Sequence, residues 1–244
     1  MKAPVSSLLI AALAPVAFAF LPSCDRSATG ESARTSPSQQ APAVTPSPRP
    51  ADSVARGGNS FDEALFAKIA PSTIAGQVLD RNGQAQKDIV VYVHEGLRGA
   101  KYPIGPPVTI DQRDKAFQPR ILPVLAGTKI FFKNADMVLH NVYSRSLVKA
   151  FDLGTYPQGQ SKDATFDQPG RVDVFCAIHT NMHAVVLVLD NPYFARSDSR
   201  GYFEIANVPA GSYALRVWSE LGQEQEIRSD VALDQGTIMR VKLP

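Results

Sequence analysis

The sequence predicts an all-β protein built from antiparallel sandwiches. Beyond Thr73 the chain is a succession of short segments rich in β-branched and aromatic residues, and turn residues such as Asn82-Gly83 separate them. Short strands at this spacing are typical of β-sandwiches. The predicted strands are 74–78, 89–93, 108–110, 121–125, 129–132, 172–175, 185–189, 202–205, 213–218, 225–233 and 238–243.

The first 24 residues predict a secretory signal. Lys2 supplies a positive charge, and residues 8–21 form an apolar run that is too short for a mature membrane-spanning helix. The run ends in Leu21-Pro22-Ser23-Cys24, which resembles the processing box of bacterial lipoproteins and implies that Cys24 is lipidated. The alternative is cleavage after Ala17-Phe18-Ala19, which leaves Cys24 as a spare thiol. We predict an exported, periplasmic, membrane-anchored lipoprotein.

A tether and a short helix are predicted between the anchor and the strands. Residues 25–59 are rich in Ser, Thr, Pro, Ala, Gln and Gly, so they cannot bury enough apolar surface to offset their ordering entropy. We expect this segment to be disordered. Ser60-Phe61-Asp62-Glu63 then has the spacing of a capping box, and apolar residues recur on one helical face until Pro71. We expect a short amphipathic helix over 60–70.

Charge excludes one class of partner. The formal net charge is only +2, and the basic residues are scattered rather than grouped with aromatic residues. Proteins that bind nucleic acid carry a clustered basic footprint, and this sequence has none. We therefore expect no nucleic acid partner.

The segment Cys176-Ala-Ile-His179-Thr-Asn-Met182 points most directly to chemistry. With His140 it offers a thiolate, two imidazoles and a thioether, which together form the ligand set of a blue-copper site with a weak axial thioether. One tight loop between two strands can present three of these ligands, while His140 comes from a loop just past the strand at 129–132. We predict a single type 1 copper with His140, Cys176, His179 and Met182 as its ligands.

The two cysteines support metal binding. An even count in an exported protein normally indicates a disulfide. If Cys24 is acylated, however, Cys176 has no partner, and an unpaired thiol in an oxidising compartment is reactive unless it is buried or bound to a metal. Taken alone, Cys176 could be a small buried hydrophobe and His140 a loop or core histidine. The combination of ligands is what predicts copper.

The four histidines limit the chemistry. Multicopper oxidases and copper nitrite reductases need more histidines than this chain contains, so one mononuclear site is the maximum. Zinc could use the same ligands, but closed zinc sites favour two or more cysteines. A Cys-His protease needs an orienting Asn or Asp and an oxyanion hole, and no pattern singles these out. His183, directly after Met182, is expected at the surface rather than as a fifth ligand.

Five stretches of the chain share one likeness: Phe117-Gln-Pro119, Ala126-Gly127, Phe132-Lys133-Asn134, His140-Asn141-Val142 and the segment from Cys176 to Met182. They resemble the plastocyanin and amicyanin group of cupredoxins. The closest likeness is to cupredoxin-like proteins labelled methylamine utilization proteins. The resemblance implies a cupredoxin Greek-key sandwich over 107–190, with Asn141 supporting the cysteine loop from outside the ligand set and the edge of His179 as the exit for the electron. The stretch Asn191-Pro-Tyr-Phe194, into which the cysteine loop leads, is similar to one in the proteins labelled methylamine utilization proteins.

The flanks of that segment resemble a second fold. Residues 198–215 look like the latter part of a carboxypeptidase-regulatory-like, prealbumin-type sandwich, and residues 74–93 look like its beginning. Neither flank could bury a core alone. We therefore expect 73–95 and 196–244 to form one small sandwich, with the cupredoxin inserted between its second and third strands. The alternative is two consecutive domains.

Two functions would use the same ligands. The first is a membrane-tethered periplasmic electron carrier, which is not an enzyme. The second is a copper-binding module for storage, delivery or sensing. The full ligand set favours the carrier, because copper delivery often uses exposed clusters of Met and His, and the four methionines of this chain are not clustered. We predict an unidentified redox partner protein, a membrane contact through the lipid anchor, and no small-molecule substrate.

Overall fold

A computed structural model describes residues 63–66, 69–97, 99, 101–220, 222, 224–231 and 236–244. The predicted signal at 1–24, with Cys24, and the predicted tether at 25–59 lie outside these residues and stay predictions. The described part is all-β, as predicted. Its strands are β1 (Ile74–Leu79), β2 (Val90–Glu95), β3 (Val108–Arg113), β4 (Ala116–Gln118), β5 (Ile121–Leu125), β6 (Thr128–Asn134), β7 (His140–Ser146), β8 (Lys149–Tyr156), β9 (Ser161–Phe166), β10 (Gly170–Phe175), β11 (His183–Leu189), β12 (Phe194–Arg196), β13 (Tyr202–Ile205), β14 (Gly211–Trp218), β15 (Glu224–Val231) and β16 (Thr237–Lys242).

A 3-10 turn at Glu63–Phe66 stands within the segment where a helix over 60–70 is expected. Residues 60–62 and 67–68 lie outside the described part. Four residues gain few helical hydrogen bonds to offset the cost of nucleation, so a 3-10 turn is the form such a short piece takes. Phe66 is buried, and its ring centroid lies 5.7 Å from that of Tyr202. In the described residues we find no helix with the length and apolar character that crossing a membrane requires.

Strands β3 to β11 form a two-sheet sandwich, which we call the ligand-bearing sandwich. One sheet has the strand order β5-β11-β10-β7-β8, and the other has the order β4-β3-β6-β9. The facing side chains make one apolar core that includes Phe132, Phe166 and Val186. Along β6 buried and more exposed side chains alternate, as expected for a strand with one face on a core.

The two flanks of this sandwich pair with each other. β1 is antiparallel to β13, and β2 is antiparallel to β14, so strands from before and after the insert share sheets. These sheets have the orders β13-β1-β16 and β12-β2-β14-β15 and enclose a core that includes Ile74, Val91 and Leu215. We call this the flanking sandwich. The pairing is what an insertion requires, whereas the assignment of this sandwich to the prealbumin type stays a prediction.

A third apolar cluster lies between the two sandwiches. It is made by the outer faces of β2, β14, β5 and β11, so β11 is buried on both sides. Its even-numbered side chains from Ala184 to Val188 lie in the core of the ligand-bearing sandwich, and its odd-numbered ones face the flanking sandwich. This explains why the segment is apolar without alternation. The cluster consists of Val90, Tyr92, Ile121, Val185, Leu187, Leu189 and Trp218.

Candidate metal centre

Three of the predicted ligands converge at one end of the ligand-bearing sandwich. Cys176 follows β10 directly, and His179 lies in the loop between β10 and β11. The sequence places His140 in a loop past β6. In the structure, His140 is instead the first residue of β7, which begins where the loop from Asn134 ends. The exposed fraction is 0% for His140 and 3% for Cys176, while His179 is half-buried.

The ligand atoms of the three side chains face one another. The Nδ1 atoms of His140 and His179 are 3.1 Å apart, and the Cys176 Sγ lies 3.9 Å from the first and 3.8 Å from the second. Ligands at about 2.0–2.3 Å from one ion and roughly 120° apart would be separated by about 3.5–3.8 Å. The trio therefore fits a single metal ion in a trigonal arrangement, with one soft thiolate and two imidazoles.

Asp136 determines which nitrogen of His140 faces the other ligands. Its Oδ2 lies 2.8 Å from the His140 Nε2. Because an ionised carboxylate only accepts hydrogen bonds, Nε2 is the donor in this contact, and Nδ1 faces Cys176 and His179. Asp136 is a functional residue that sequence analysis missed. Its only signal there is an acidic side chain four residues before a predicted ligand.

A tight turn holds the Asp136 carboxylate in place. Asp114 and Lys115 connect β3 to β4, and both adopt a left-handed backbone with φ of 54°, as a two-residue hairpin of type I′ requires. Their N–H groups donate to the two oxygens of Asp136 at 2.7 and 2.8 Å. Burial acts to raise the pKa of the Asp136 carboxyl, but these N–H groups and the His140 ring lower it below its ordinary value. The carboxylate is thus ionised and fixed at three points.

Asn134 shapes the loop that leads to His140. Its Oδ1 accepts a hydrogen bond from the Asp136 N–H at 2.9 Å, and its Nδ2 donates to the carbonyls of Val138, at 2.8 Å, and Tyr156, at 3.1 Å. This buried amide thus binds two backbone groups of the loop and one at the end of β8. The loop is therefore held from inside the sandwich.

Asn141 connects β7 to the cysteine loop. Its Oδ1 accepts a hydrogen bond from the Ala177 N–H at 3.2 Å, and its Nδ2 donates to the Asp152 carboxylate at 2.7 Å. The pairing of β7 with β8 shifts register just after Asn141, and such bulges re-aim side chains next to functional sites. The neighbour of the first ligand thereby fixes the backbone beside Cys176.

Met182, the predicted axial ligand, is buried in the same core cluster as Cys176. Its N–H donates to the His179 carbonyl at 3.0 Å, and its own carbonyl accepts from the Cys176 N–H at 3.4 Å. These bonds close the loop and place the methionine backbone beside that of the cysteine. The contact of its sulfur with a metal stays a prediction.

The electrostatic environment of His179 suits a metal ligand. Burial, followed by the charges of His140 and Lys115, lowers the pKa of His179 below its ordinary value. The lowered pKa favours the neutral ring, which is the form that binds a metal.

Tyr156 lies behind His140, its partner in the ladder between β7 and β8. Burial raises the pKa of the Tyr156 hydroxyl well above its ordinary value, so the group remains a donor. It donates to the Phe132 carbonyl at 3.0 Å and accepts from Gln112 at 2.5 Å. The apolar core behind the ligands therefore contains a polar link from Gln112 through the Tyr156 hydroxyl to the backbone of β6.

His183 is separate from the ligand trio. It lies opposite Phe175 in the β10-β11 ladder and, with Val185, on the outer face of the sheet. Its two ring nitrogens contact the carboxylates of Asp173, at 2.8 Å, and Glu220, at 3.3 Å. It is therefore half-buried between the two sandwiches, and not the surface residue that its sequence position predicts.

The comparison with protein families places the ligand trio in a known context. Residues 107–189, about a third of the chain, match the family of copper binding proteins of the plastocyanin/azurin type. This segment is the ligand-bearing sandwich, so the predicted cupredoxin-like β-sandwich is confirmed. The family binds copper, and His140, Cys176 and His179 are positioned to hold one metal ion, so copper is confirmed as the cofactor.

Three solved structures are similar to parts of this chain. A Cu-containing nitrite reductase from Thermus scotoductus SA-01 is 24% identical over 40% of this chain and 26% of its own, with a TM-score of 0.34. The chain thus spans about a quarter of that enzyme's length. A mutant of amicyanin in the Cu(I) state is 22% identical over 34% and 82%, with a TM-score of 0.33. A purple cupredoxin from Nitrosopumilus maritimus is 20% identical over 34% and 99%, with a TM-score of 0.32. A comparison with curated proteins gave no match.

Proposed function

We propose that this chain is a mononuclear type 1 copper protein that carries electrons, and that a lipid on Cys24 tethers it to a membrane on the periplasmic side. The observation that carries the proposal is the trio His140, Cys176 and His179, whose ligand atoms lie 3.1–3.9 Å apart. The trio lies in a segment that matches a copper-binding family. Met182 completes the proposed ligand set.

The residues around the ligands suit a metal centre whose ion changes its oxidation state while the ligands keep their positions. A bound copper would accept and release one electron. The Cys176 thiolate favours Cu(I), while the His140 and His179 imidazoles accommodate Cu(II), so this mixed set serves both states. The carboxylate of Asp136 and the amide of Asn141 fix the ligand-bearing backbone and the first imidazole. Little rearrangement is then needed when the charge changes.

Exposed apolar side chains near the ligands support a carrier role. Met137 and Leu139 precede His140, Ile178 precedes His179, and all three are exposed. An apolar surface of this kind lets a partner protein approach the half-buried His179 ring without desolvating charges. Storage or delivery would instead require ready release of the ion, whereas His140 and Cys176 are almost fully buried.

We further propose that the chain transforms no substrate. In the described residues one group of three metal-ligating side chains is found. A copper enzyme needs an open coordination position or a second metal where substrate binds. The nitrite reductase likeness covers only a quarter of that enzyme and so does not carry its activity to this chain.

The test is the visible spectrum of the copper-loaded protein. We expect an intense thiolate-to-copper band, which is lost in Cys176→Ala and His140→Ala because each removes a ligand. His94→Ala is the matched control, since His94 lies in β2 of the flanking sandwich and outside the trio. A wild-type protein without the band, or a Cys176→Ala variant that retains it, would contradict the proposal.

Voltammetry and copper exchange separate the carrier from the delivery module. A carrier gives a fast, reversible one-electron wave and loses copper slowly to a chelator. A delivery or storage protein gives up copper readily, and a sluggish wave with rapid loss would favour that alternative.

A further inference from the structure

A charged cluster joins the two sandwiches directly behind the cysteine loop. Phe175 and His183 are the strand residues that flank the loop, and they face each other in the β10-β11 ladder. Their rings stack with centroids 4.9 Å apart and an interplanar angle of 22°. These two residues therefore close the base of the loop that carries Cys176, His179 and Met182.

His183 is held at both ring nitrogens. Asp173 of β10 contacts Nε2 at 2.8 Å, and Glu220, which follows β14 in the flanking sandwich, contacts Nδ1 at 3.3 Å. Each carboxylate is itself bound by an arginine, Asp173 by Arg171 at 2.7 Å and Glu220 by Arg120 at 2.6 Å. A ring with both nitrogens engaged cannot rotate without breaking a contact.

The cluster lies beside apolar surface rather than in open solvent. The exposed fraction of the Glu220 side chain is 21%, and that of His183 is 23%. Arg171 stacks over the ring of Trp218 at 5.9 Å, and Trp218 belongs to the apolar cluster between the sandwiches. Ion pairs at such exposure contribute little to stability. The role that this network can have is to fix the position of the His183 side chain.

We propose that Glu220 is a positioning residue for the cysteine loop: by clamping His183 it fixes the end of the loop and, with it, the adjacent Met182. Met182 directly precedes β11 and its side chain lies in the core cluster, so a fixed His183 at the start of the strand restrains the backbone from which Met182 enters the core. The flanking sandwich thereby acts on the metal centre without contributing a ligand. As far as it concerns copper, this inference rests on the proposed function.

The main test compares Glu220→Ala with Asp88→Asn. Asp88 is also a carboxylate of the flanking sandwich in an ion pair, with Arg196, and its side chain is 29% exposed, but it lies outside the loop cluster. In the metal-free protein, we expect Glu220→Ala to shift the backbone amides of Cys176 and Met182 to faster hydrogen exchange and Asp88→Asn to leave them unchanged. Unchanged exchange in Glu220→Ala would overturn the proposal.

Copper-loaded protein gives the second readout. Glu220→Ala is expected to shift the thiolate-to-copper band and to lower copper affinity by about tenfold. Glu220→Gln keeps an oxygen that can accept from His183 and should restore most of both properties. His183→Phe retains the stack on Phe175 but removes both ring nitrogens. The double variant His183→Phe/Glu220→Ala should therefore show the same band shift and the same loss of copper affinity as Glu220→Ala alone. Additive effects would show that Glu220 does not act through His183.

The two readouts fail separately. A protein that binds no copper would contradict the proposed function. Hydrogen exchange is measured without metal, so it would still show whether Glu220 orders the loop. A copper band that is present but insensitive to Glu220 would overturn the inference and leave the proposed function intact.

Discussion

The two sandwiches bury polar side chains for different purposes. In the flanking sandwich, Asn191 donates to the Val93 carbonyl at 2.8 Å and accepts from the Tyr193 N–H at 3.0 Å, so it satisfies a local bend. In the ligand-bearing sandwich, Asn141 binds the loop beside Cys176. The exposed fraction of both asparagines is 4%. Burial of a polar side chain therefore does not indicate a function by itself. A hydrogen bond from that side chain to the backbone beside a metal ligand does indicate one.

The same contrast appears among charged groups. Asp88 and Arg196 of the flanking sandwich pair with each other at 2.6 Å and with no ligand. Asp136 of the ligand-bearing sandwich is instead fixed by two backbone N–H groups and contacts His140. An ionised group held this firmly by neutral donors orients its partner more strictly than a flexible ion pair does.

The largest expected effect comes from emptying either core. Phe132→Ala and Phe203→Ala remove phenylalanines with exposed fractions of 0% and 1%, so each should lower the free energy of unfolding by about 3–5 kcal/mol. Only Phe132→Ala should also shift the copper band, since the Phe132 side chain lies in the core cluster that contains Cys176 and Met182. Urea unfolding, followed by circular dichroism and by the fluorescence of Trp218, measures the first effect. An equal spectral shift in Phe203→Ala would remove the contrast between the cores.

Asp136→Asn should have the next largest effect. The amide retains one acceptor oxygen for the three donors that now surround the carboxylate, so His140 loses its fixed orientation and copper affinity should fall by about 10–100-fold. Competition with a chelator measures this change. Asp163→Asn, which removes an exposed ion pair with Lys129 in the same sandwich, is the control and should leave affinity unchanged.

The asparagine pair gives a smaller and more selective effect. Asn191→Ala leaves two buried backbone groups without its amide, and Asn141→Ala removes a partly buried bond to the Ala177 N–H and one to Asp152, so each should cost about 1–3 kcal/mol of unfolding free energy. The copper spectrum should change in Asn141→Ala alone. If Asn191→Ala changes it as well, polar burial in the flanking sandwich also serves the metal centre.

The smallest effect is a dependence of stability on pH. Burial acts to raise the pKa of the Asp173 carboxyl, but hydrogen bonds from Arg171 and His183 lower it below its ordinary value. A depressed folded pKa contributes stability above the unfolded value of about 3.9, and that contribution disappears as pH falls through the folded pKa. Thermal unfolding between pH 6 and pH 3 should therefore be less acid-sensitive in Asp173→Asn than in wild type. Parallel curves for the two proteins would contradict this.

Sequence patterns predicted the apolar strands but missed the polar ones. β11 and β2 lie between two cores and are continuous apolar runs, so they stand out. β8 and β9 are terminal strands of their sheets, and few of their side chains are buried. Their inward-facing side chains, such as Phe151 and Leu153 of β8, are mostly only partly buried, so the apolar signal of these strands is weak. β7 was missed for another reason, because its polar residues include His140 and Asn141, which serve the metal centre.

The ligand residues were predictable, whereas their support was not. Cys176, His179 and Met182 share one loop and have a known spacing, so a short segment reveals them. Asp136 acts only because the turn at Asp114 and Lys115 reaches it across the sheet edge. Glu220 acts across the boundary between sandwiches. Contacts between distant parts of a chain leave no periodic trace in one sequence.

The entry and exit of the inserted sandwich lie side by side. β2 leads into the insert and β12 leads out of it, and Phe194 is paired with Tyr92 while the Val93 N–H donates to the Tyr193 carbonyl. In evolutionary terms, such neighbouring ends let a complete module be gained without disturbing its host, because the interrupted chain resumes where it stopped. Excision should not be equally neutral, since it would expose the apolar faces of Val90, Tyr92 and Trp218 to water. The stability of the flanking sandwich therefore depends on its contact with the ligand-bearing sandwich.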